Sequence, residues 1–229
     1  MIRSSDKIPV YLEIGATRTF AAAIEWPGWC RSGRDETSSL TALLDYGQRY
    51  ARVLRPARLG FRPPTDASAF TVTERLEGTA TTDFGAPGAI PASDLSPIDP
   101  AELRRLQSVL KACWRAFDAS GLTARGRELR KGPRGGGREL EGILTHVLEA
   151  DVAYLERIGW KVAGNAEGDP REELRRVREE VEKALKATAT AELPERGPRG
   201  GIRWKPRYFV RRVAWHVLDH TWEIEDRTV

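Results

Sequence analysis

The chain has 229 residues, of which 31% are charged and 40% hydrophobic, and its formal net charge is +4. This composition is typical of a folded globular protein, and so small a charge gives no reason to expect nucleic-acid binding. No apolar run approaches the roughly 20 residues that a membrane-spanning helix needs, and the N-terminal residues lack the apolar stretch of a signal peptide. Two distant cysteines, Cys30 and Cys113, are consistent with a reduced, cytoplasmic protein.

The N-terminal part of the chain combines strands with one amphipathic helix. Alternating apolar residues predict a β-hairpin over residues 8–26. A loop over 26–33 leads into a helix predicted over 36–54, and residues 70–76 predict one more strand. Residues 77–98 are rich in Gly, Pro, Ala and Ser, and this composition predicts a linker.

The hairpin, the Pro27-Gly28 pair, Cys30, Gly33 and the helix that follows make residues 9–53 resemble HicB-like antitoxin domains. The resemblance implies a module that binds a protein or RNA partner. Acidic residues arranged as in a nuclease are not visible, so the resemblance implies no catalytic activity. The module could equally pack on the rest of the chain and shape a cavity there.

Helical patterns dominate the C-terminal part of the chain. Asp99 and Pro100 form an N-cap and first-turn signal, and an apolar stripe follows as far as Gly121. Asp169 and Pro170 repeat this start signal before a third helix, which carries its own apolar stripe.

Two further helices, around 138–159 and 205–227, contain the histidines, which brings the number of long helices to four. The predicted fold is therefore α+β. A small β-hairpin and helix domain over residues 1–95 precedes an up-down-up-down four-helix bundle over 96–229.

Two similar loops precede the histidine-bearing helices, with the sequence Gly-Pro-Arg-Gly-Gly at 132–136 and again at 197–201. In an up-down-up-down bundle the second and fourth helices run in the same direction, so both loops would lie at one end. The loops could merely connect helices, as glycine-rich turns often do. Alternatively, they frame a cavity whose basic rim attracts an anionic substrate or a thiol cofactor. The substrate-binding candidates are then Arg134, Arg199, Arg203 and Lys205.

The chain has three histidines, and all of them fall in predicted helices. His216 and His220 are four residues apart, so they share one helix face. His146, from another helix, would complete a three-nitrogen cap on a metal ion and leave one coordination position open. Burying unpaired imidazoles is costly, and a shared metal ion removes that cost. The alternative is a set of hydrogen-bonded core histidines.

This order of histidines, with one on the second helix and an HxxxH pair on the fourth, makes residues 99–229 resemble the DinB-like superfamily. That superfamily includes thiol-dependent S-transferases and maleylpyruvate isomerase-like proteins. The resemblance implies a divalent ion, zinc or nickel, held by His146, His216 and His220 with water completing its coordination. It also implies a low-molecular-weight thiol as cofactor, and it does not fix the reaction.

Three carboxylates follow a histidine by three residues each: Glu149, Asp219 and Glu223. Any of them could accept a hydrogen bond from the second nitrogen of a metal-binding histidine, or act as a general base. Each could also be an ordinary solvated carboxylate.

Two functions of different classes follow from these features. The first is a divalent-metal-dependent enzyme, either a thiol-dependent transferase or isomerase or a metal-assisted hydrolase. It would act on a small-molecule substrate, with no role for a membrane and with homodimerisation left open. The second is a non-catalytic regulatory protein, in which the HicB-like module binds a partner and the bundle is a metal-binding scaffold.

Overall fold

A computed structural model of the protein describes residues 7–131, 137–162, 168–190, 196 and 201–229. The chain divides into two compact units, Met1–Ser96 and Pro97–Val229. A four-stranded sheet lies in the first unit and long helices make up the second, so the predicted α+β class is confirmed. No helix among the described residues is both long and apolar enough to cross a membrane.

The first unit contains a sheet whose strands lie in the order β3-β2-β1-β4. The strands are β1 (Ile8–Ile14), β2 (Thr19–Ala23), β3 (Cys30–Gly33) and β4 (Phe70–Glu77). Strands β1 and β2 form the predicted antiparallel hairpin, and β4 runs parallel to β1. The expectation of a loop throughout 26–33 is wrong, because β3 pairs antiparallel with β2. Pairing with a neighbouring strand satisfies the backbone groups there, whatever the local turn preference.

The helix predicted over 36–54 is two helices, α1 (Glu36–Asp45) and α2 (Gly47–Leu54). Trp29, which is fully buried, lies against both of them. Its Nε1 donates to the carbonyl of Leu43 in α1 at 2.8 Å, and its ring stacks on Tyr50 in α2 with centroids 5.9 Å apart. Residues of both short helices therefore contact the same buried indole.

The segment predicted as a linker, 77–98, is tied to the sheet instead. It contains a short helix, α3 (Ala80–Phe84). Glu13, fully buried on β1, accepts a hydrogen bond from the hydroxyl of Thr82 at 2.5 Å. It also accepts from the backbone N–H groups of Gly88 and Ala89 at 2.8 and 2.9 Å. Composition rich in glycine and proline cannot distinguish a linker from a loop that is held by one buried carboxylate.

We expect Glu13→Gln to lower the free energy of unfolding by about 1–3 kcal/mol, because an amide nitrogen would then face donors that now bind a carboxylate oxygen. Chemical denaturation of the full chain measures this change. Glu77→Gln, at an exposed position on β4, is the matched control and should stay within about 0.5 kcal/mol of the parent. Equal effects at the two positions would contradict the anchoring role of Glu13.

The second unit consists of four long helices: α4 (Pro100–Thr123), α5 (Leu140–Arg157), α6 (Pro170–Thr190) and α7 (Pro206–Arg227). Helix α4 begins at the predicted cap, where the carboxylate of Asp99 accepts from the N–H of Glu102 at 2.8 Å. Helix α7 is the core helix, because every residue from Tyr208 to Leu218 is buried. A helix that is buried on all sides must be covered by its neighbours on all sides.

Helices α5 and α7 run in opposite directions. The N–H of Trp204, just before α7, donates to the carbonyl of Arg157 at the end of α5 at 3.0 Å. At the other end, the guanidinium of Arg227 lies against Gly137, just before α5. The expectation that the starts of these two helices lie at one end is therefore wrong. Residues 132–136 and 197–200, which carry most of both glycine-rich repeats, lie outside the described residues.

Helices α5 and α6 run in the same direction, since Arg171 at the start of α6 pairs with Glu141 at the start of α5 at 2.7 Å. The segment 158–169 between them can span about 40 Å when extended. Helix α5 has 18 residues and is about 27 Å long. The connection is therefore long enough for α6 to begin beside the start of α5. The predicted up-down-up-down order is wrong, because α6 does not reverse the direction of α5.

Candidate metal centre

Three histidine side chains meet between α5 and α7. The Nε2 atoms of His146 and His216 are 3.2 Å apart. The centre of the His220 ring lies 5.0 Å from that of His146 and 4.6 Å from that of His216. One potential ligand atom from each residue lies within 4.8 Å of the others. Ligand nitrogens of a tetrahedral zinc site are about 3.3 Å apart. The three residues could therefore hold one metal ion, and the prediction that they converge is confirmed.

Helix packing explains the convergence. His216 and His220 are four residues apart in α7 and so project from one face. His146 lies in the first half of α5, which faces the second half of α7 because the two helices are antiparallel. The local spacing places two imidazoles together, and the crossing helix supplies the third.

Burial favours the neutral imidazole, which is the form that binds a metal. His216 and His220 are only 6% and 8% exposed. Burial lowers the pKa of His216 well below its ordinary value, and the neighbouring imidazoles lower it further. Burial also lowers the pKa of His146, with a smaller contribution from the charge of Arg138.

Glu223 holds His220 in place. Its carboxylate is 2.7 Å from Nδ1 of His220 and accepts a hydrogen bond from Nη1 of Arg227 at 2.5 Å. Arg227 is itself fixed, because its Nε donates to the carbonyl of Arg130 at 2.8 Å. Burial raises the pKa of Glu223, but the bonds from His220 and Arg227 outweigh it and hold the pKa below its ordinary value. The second ring nitrogen of His220 is thereby left to face the cluster.

The candidate carboxylate Glu149 does not bond to a histidine in the part of the chain that the structure describes. Glu149 is exposed, and its charge acts on His146 only electrostatically. Asp219 is half-buried on α7. The Nδ1 atom of His216 is buried and has no hydrogen-bond partner among the described residues. Glu223, which has an arginine four residues later, is bonded to the histidine three residues before it.

The structure describes two of the four residues of the predicted basic rim. Arg203 lies over Gly159, beyond the end of α5, and Lys205 caps the start of α7. His216 is eleven residues further along α7 than Lys205, or about 16 Å. The cations whose charges act on the cluster are Arg138, just before α5, which acts on His146 and His216, and Arg212 in α7, which acts on His216. The other two rim candidates, Arg134 and Arg199, lie outside the described residues.

Two buried ionisable groups of this unit were missed in the sequence. Arg212, one turn before His216, is 7% exposed and donates from Nη2 to the hydroxyl of Tyr154 at 3.2 Å. Asp151, on α5, is fully buried, and neither carboxylate oxygen has a hydrogen-bond partner among the described residues. Burial raises the pKa of Asp151 to about 7, although the charge of Arg178 opposes the shift. Arg212 precedes His216 by four residues, so the sequence alone could have placed it on the same helix face as the histidine pair.

Comparison of the chain with family models, with curated proteins and with solved structures finds no significant match. The DinB-like and HicB-like resemblances of the two parts of the chain therefore stay predictions.

We expect Glu223→Ala to weaken metal binding about 10- to 100-fold, because His220 would lose the partner that orients its ring. Competition with a chromophoric chelator measures the affinity of the purified full chain for zinc. Glu149→Ala removes an exposed carboxylate at the same spacing from a histidine, and its affinity should match the parent. Equal losses in both variants would show that only the local negative charge matters.

We expect Asp151→Asn to stabilise the protein by roughly 2–4 kcal/mol above pH 7. The folded-state pKa of about 7 lies above the ordinary value of 3.8, so ionisation of this carboxyl opposes folding. Its cost is absent below about pH 4 and grows as the pH rises to about 7. Denaturation of both proteins from pH 4 to 8 should give curves that diverge with pH. Asp118→Asn, at a largely exposed partner of Arg178, should show no such divergence.

Proposed function

We propose that the protein is a divalent-metal-dependent enzyme whose ion is held by His146, His216 and His220. The observation that carries the proposal is the approach of three mostly buried imidazoles from two helices, with two Nε2 atoms 3.2 Å apart. Hydrogen-bonded core histidines are the competing explanation. That explanation gives no reason for the third ring, that of His220, to converge on the other two.

Three protein ligands suit a catalytic rather than a structural zinc site, because one tetrahedral position stays free for substrate. A bound ion would act there as a Lewis acid and would lower the pKa of a thiol or water molecule. The residues of the chain would orient the ligands of the ion and set the charge around it. Glu223 orients His220, Arg227 orients Glu223, and the cation of Arg138 faces the cluster from the start of α5.

The reaction that we favour is transfer or isomerisation with a low-molecular-weight thiol, with metal-assisted hydrolysis as a close variant. The support for the thiol is the likeness of residues 99–229 to the DinB-like superfamily. The same likeness supports a four-helix bundle and a zinc or nickel ion. Imidazole ligands alone accept several divalent metals and do not choose among them.

We expect about one divalent ion per chain on protein purified without a nickel column, since such a column could load nickel. His216→Ala should bind metal more than about 100-fold more weakly than the parent, because a lost ligand costs more than a lost outer partner. Metal analysis and chelator competition measure both quantities. The variant should also lose metal-dependent conjugation of a small thiol with an electrophile such as 1-chloro-2,4-dinitrobenzene.

Cys113→Ala is the matched control, because it removes a buried potential metal ligand of another kind from the same unit. Burial raises the pKa of this thiol to about 12, so it should stay protonated and contribute nothing to metal binding. The proposal fails if the parent binds no stoichiometric metal, or if His216→Ala binds it as tightly as the parent.

A further inference from the structure

Arg212 is a buried cation that has no carboxylate partner among the residues that the structure describes. It is 7% exposed, and its Nε and Nη1 atoms are buried without hydrogen-bond partners among the described residues. Only Nη2 is engaged, by the neutral hydroxyl of Tyr154 at 3.2 Å. A charged guanidinium in this position is costly unless an anion compensates it.

Arg178, in the same unit, shows how a buried guanidinium is usually compensated by a carboxylate. It is also 7% exposed, and its Nη1 donates to both carboxylate oxygens of Asp118 at 2.8 Å. The buried carboxyl of Asp151 likewise interacts with Arg178. No such carboxylate lies against Arg212 in the described ranges of the chain.

Arg212 lies on the same side of α7 as the histidine pair. Arg212, His216 and His220 follow one another at intervals of four residues, so they form one stripe. On α5, His146 and Tyr154 are eight residues apart and face this stripe. The ring of Tyr154 is 5.9 Å from the ring of His216.

Aromatic rings hold the guanidinium in place. Its carbon lies 5.4 Å from the ring centre of Tyr154 and 4.9 Å from that of Trp215. These rings stabilise a cation without supplying a negative charge. The result is an oriented guanidinium with N–H donors that no described residue uses, one helical turn before His216 in α7.

We propose that Arg212 and the hydroxyl of Tyr154 bind the carboxylate of a small substrate whose other end reaches the three-histidine centre. This inference rests on the metal-dependent function proposed above and adds the substrate class. The guanidinium can donate to the two oxygens of a carboxylate, and a metal ion at the histidines would supply a second positive charge on the same stripe of α7. The ligand is therefore a short bifunctional anion, such as a carboxylate that carries a thiol one or two carbons away.

Cobalt-loaded full-length protein provides the test, because thiolate binding changes the absorption of the cobalt ion. The probes are mercaptoacetate, 2-mercaptoethanol and cysteamine, which differ mainly in carrying a negative, a neutral and a positive group. We expect mercaptoacetate to bind at least ~10-fold more tightly than 2-mercaptoethanol, and cysteamine to bind most weakly. Arg212→Met should abolish the preference for the carboxylate, and Arg212→Lys should keep part of it.

Arg178→Met is the matched control, since it removes an equally buried arginine that lies apart from the histidines, and its preference should equal that of the parent. Tyr154→Phe is a milder second variant and should reduce the preference by a factor of a few. Cobalt binding with equal affinity for the three thiols, or a preference that survives in Arg212→Met, would overturn the role of Arg212 alone. Absence of stoichiometric cobalt would instead overturn the metal-dependent function on which it rests.

Discussion

Burial of polar side chains along one face of α7 is the constraint on which the candidate site depends. Arg212, His216 and His220 are each less than a tenth exposed, although their side chains would be better solvated in water. Such groups are tolerated only when partners compensate them. The partners come from two places, the opposite helix α5 and the last turns of α7 itself.

The compensation is uneven along this face. Towards the end of α7, Glu223 and Arg227 form a closed chain of hydrogen bonds that ends at His220. Towards its start, Arg212 adds a positive charge that, among the described residues, has a hydroxyl and two rings beside it. A metal ion at the histidines would therefore have a neutralised side and a positive side. Under the proposed function, this asymmetry would give an anionic substrate one preferred orientation, which is a requirement for chemistry at a single atom.

Sequence patterns predicted the elements that are formed by contacts between residues close together in the chain. The hairpin of β1 and β2 follows from alternation of apolar residues, and the start of α4 follows from a capping aspartate before a proline. Contacts across the chain were not visible in this way. The anchoring of 77–98 by Glu13, for example, depends on partners 69 to 76 residues away in sequence.

The sequence by itself determined which helices carry the histidines and that His216 and His220 share a face, because helical periodicity is a property of neighbouring residues. Only the tertiary structure decided that α6 keeps the direction of α5, and that α7 runs opposite to α5. It also decided that Glu223, and not Glu149, supports a histidine. A long connection such as 158–169 permits either direction for the helix that follows it. Glu149 and Glu223 each follow a histidine by three residues, so the spacing cannot distinguish them, and only packing against a particular neighbour does.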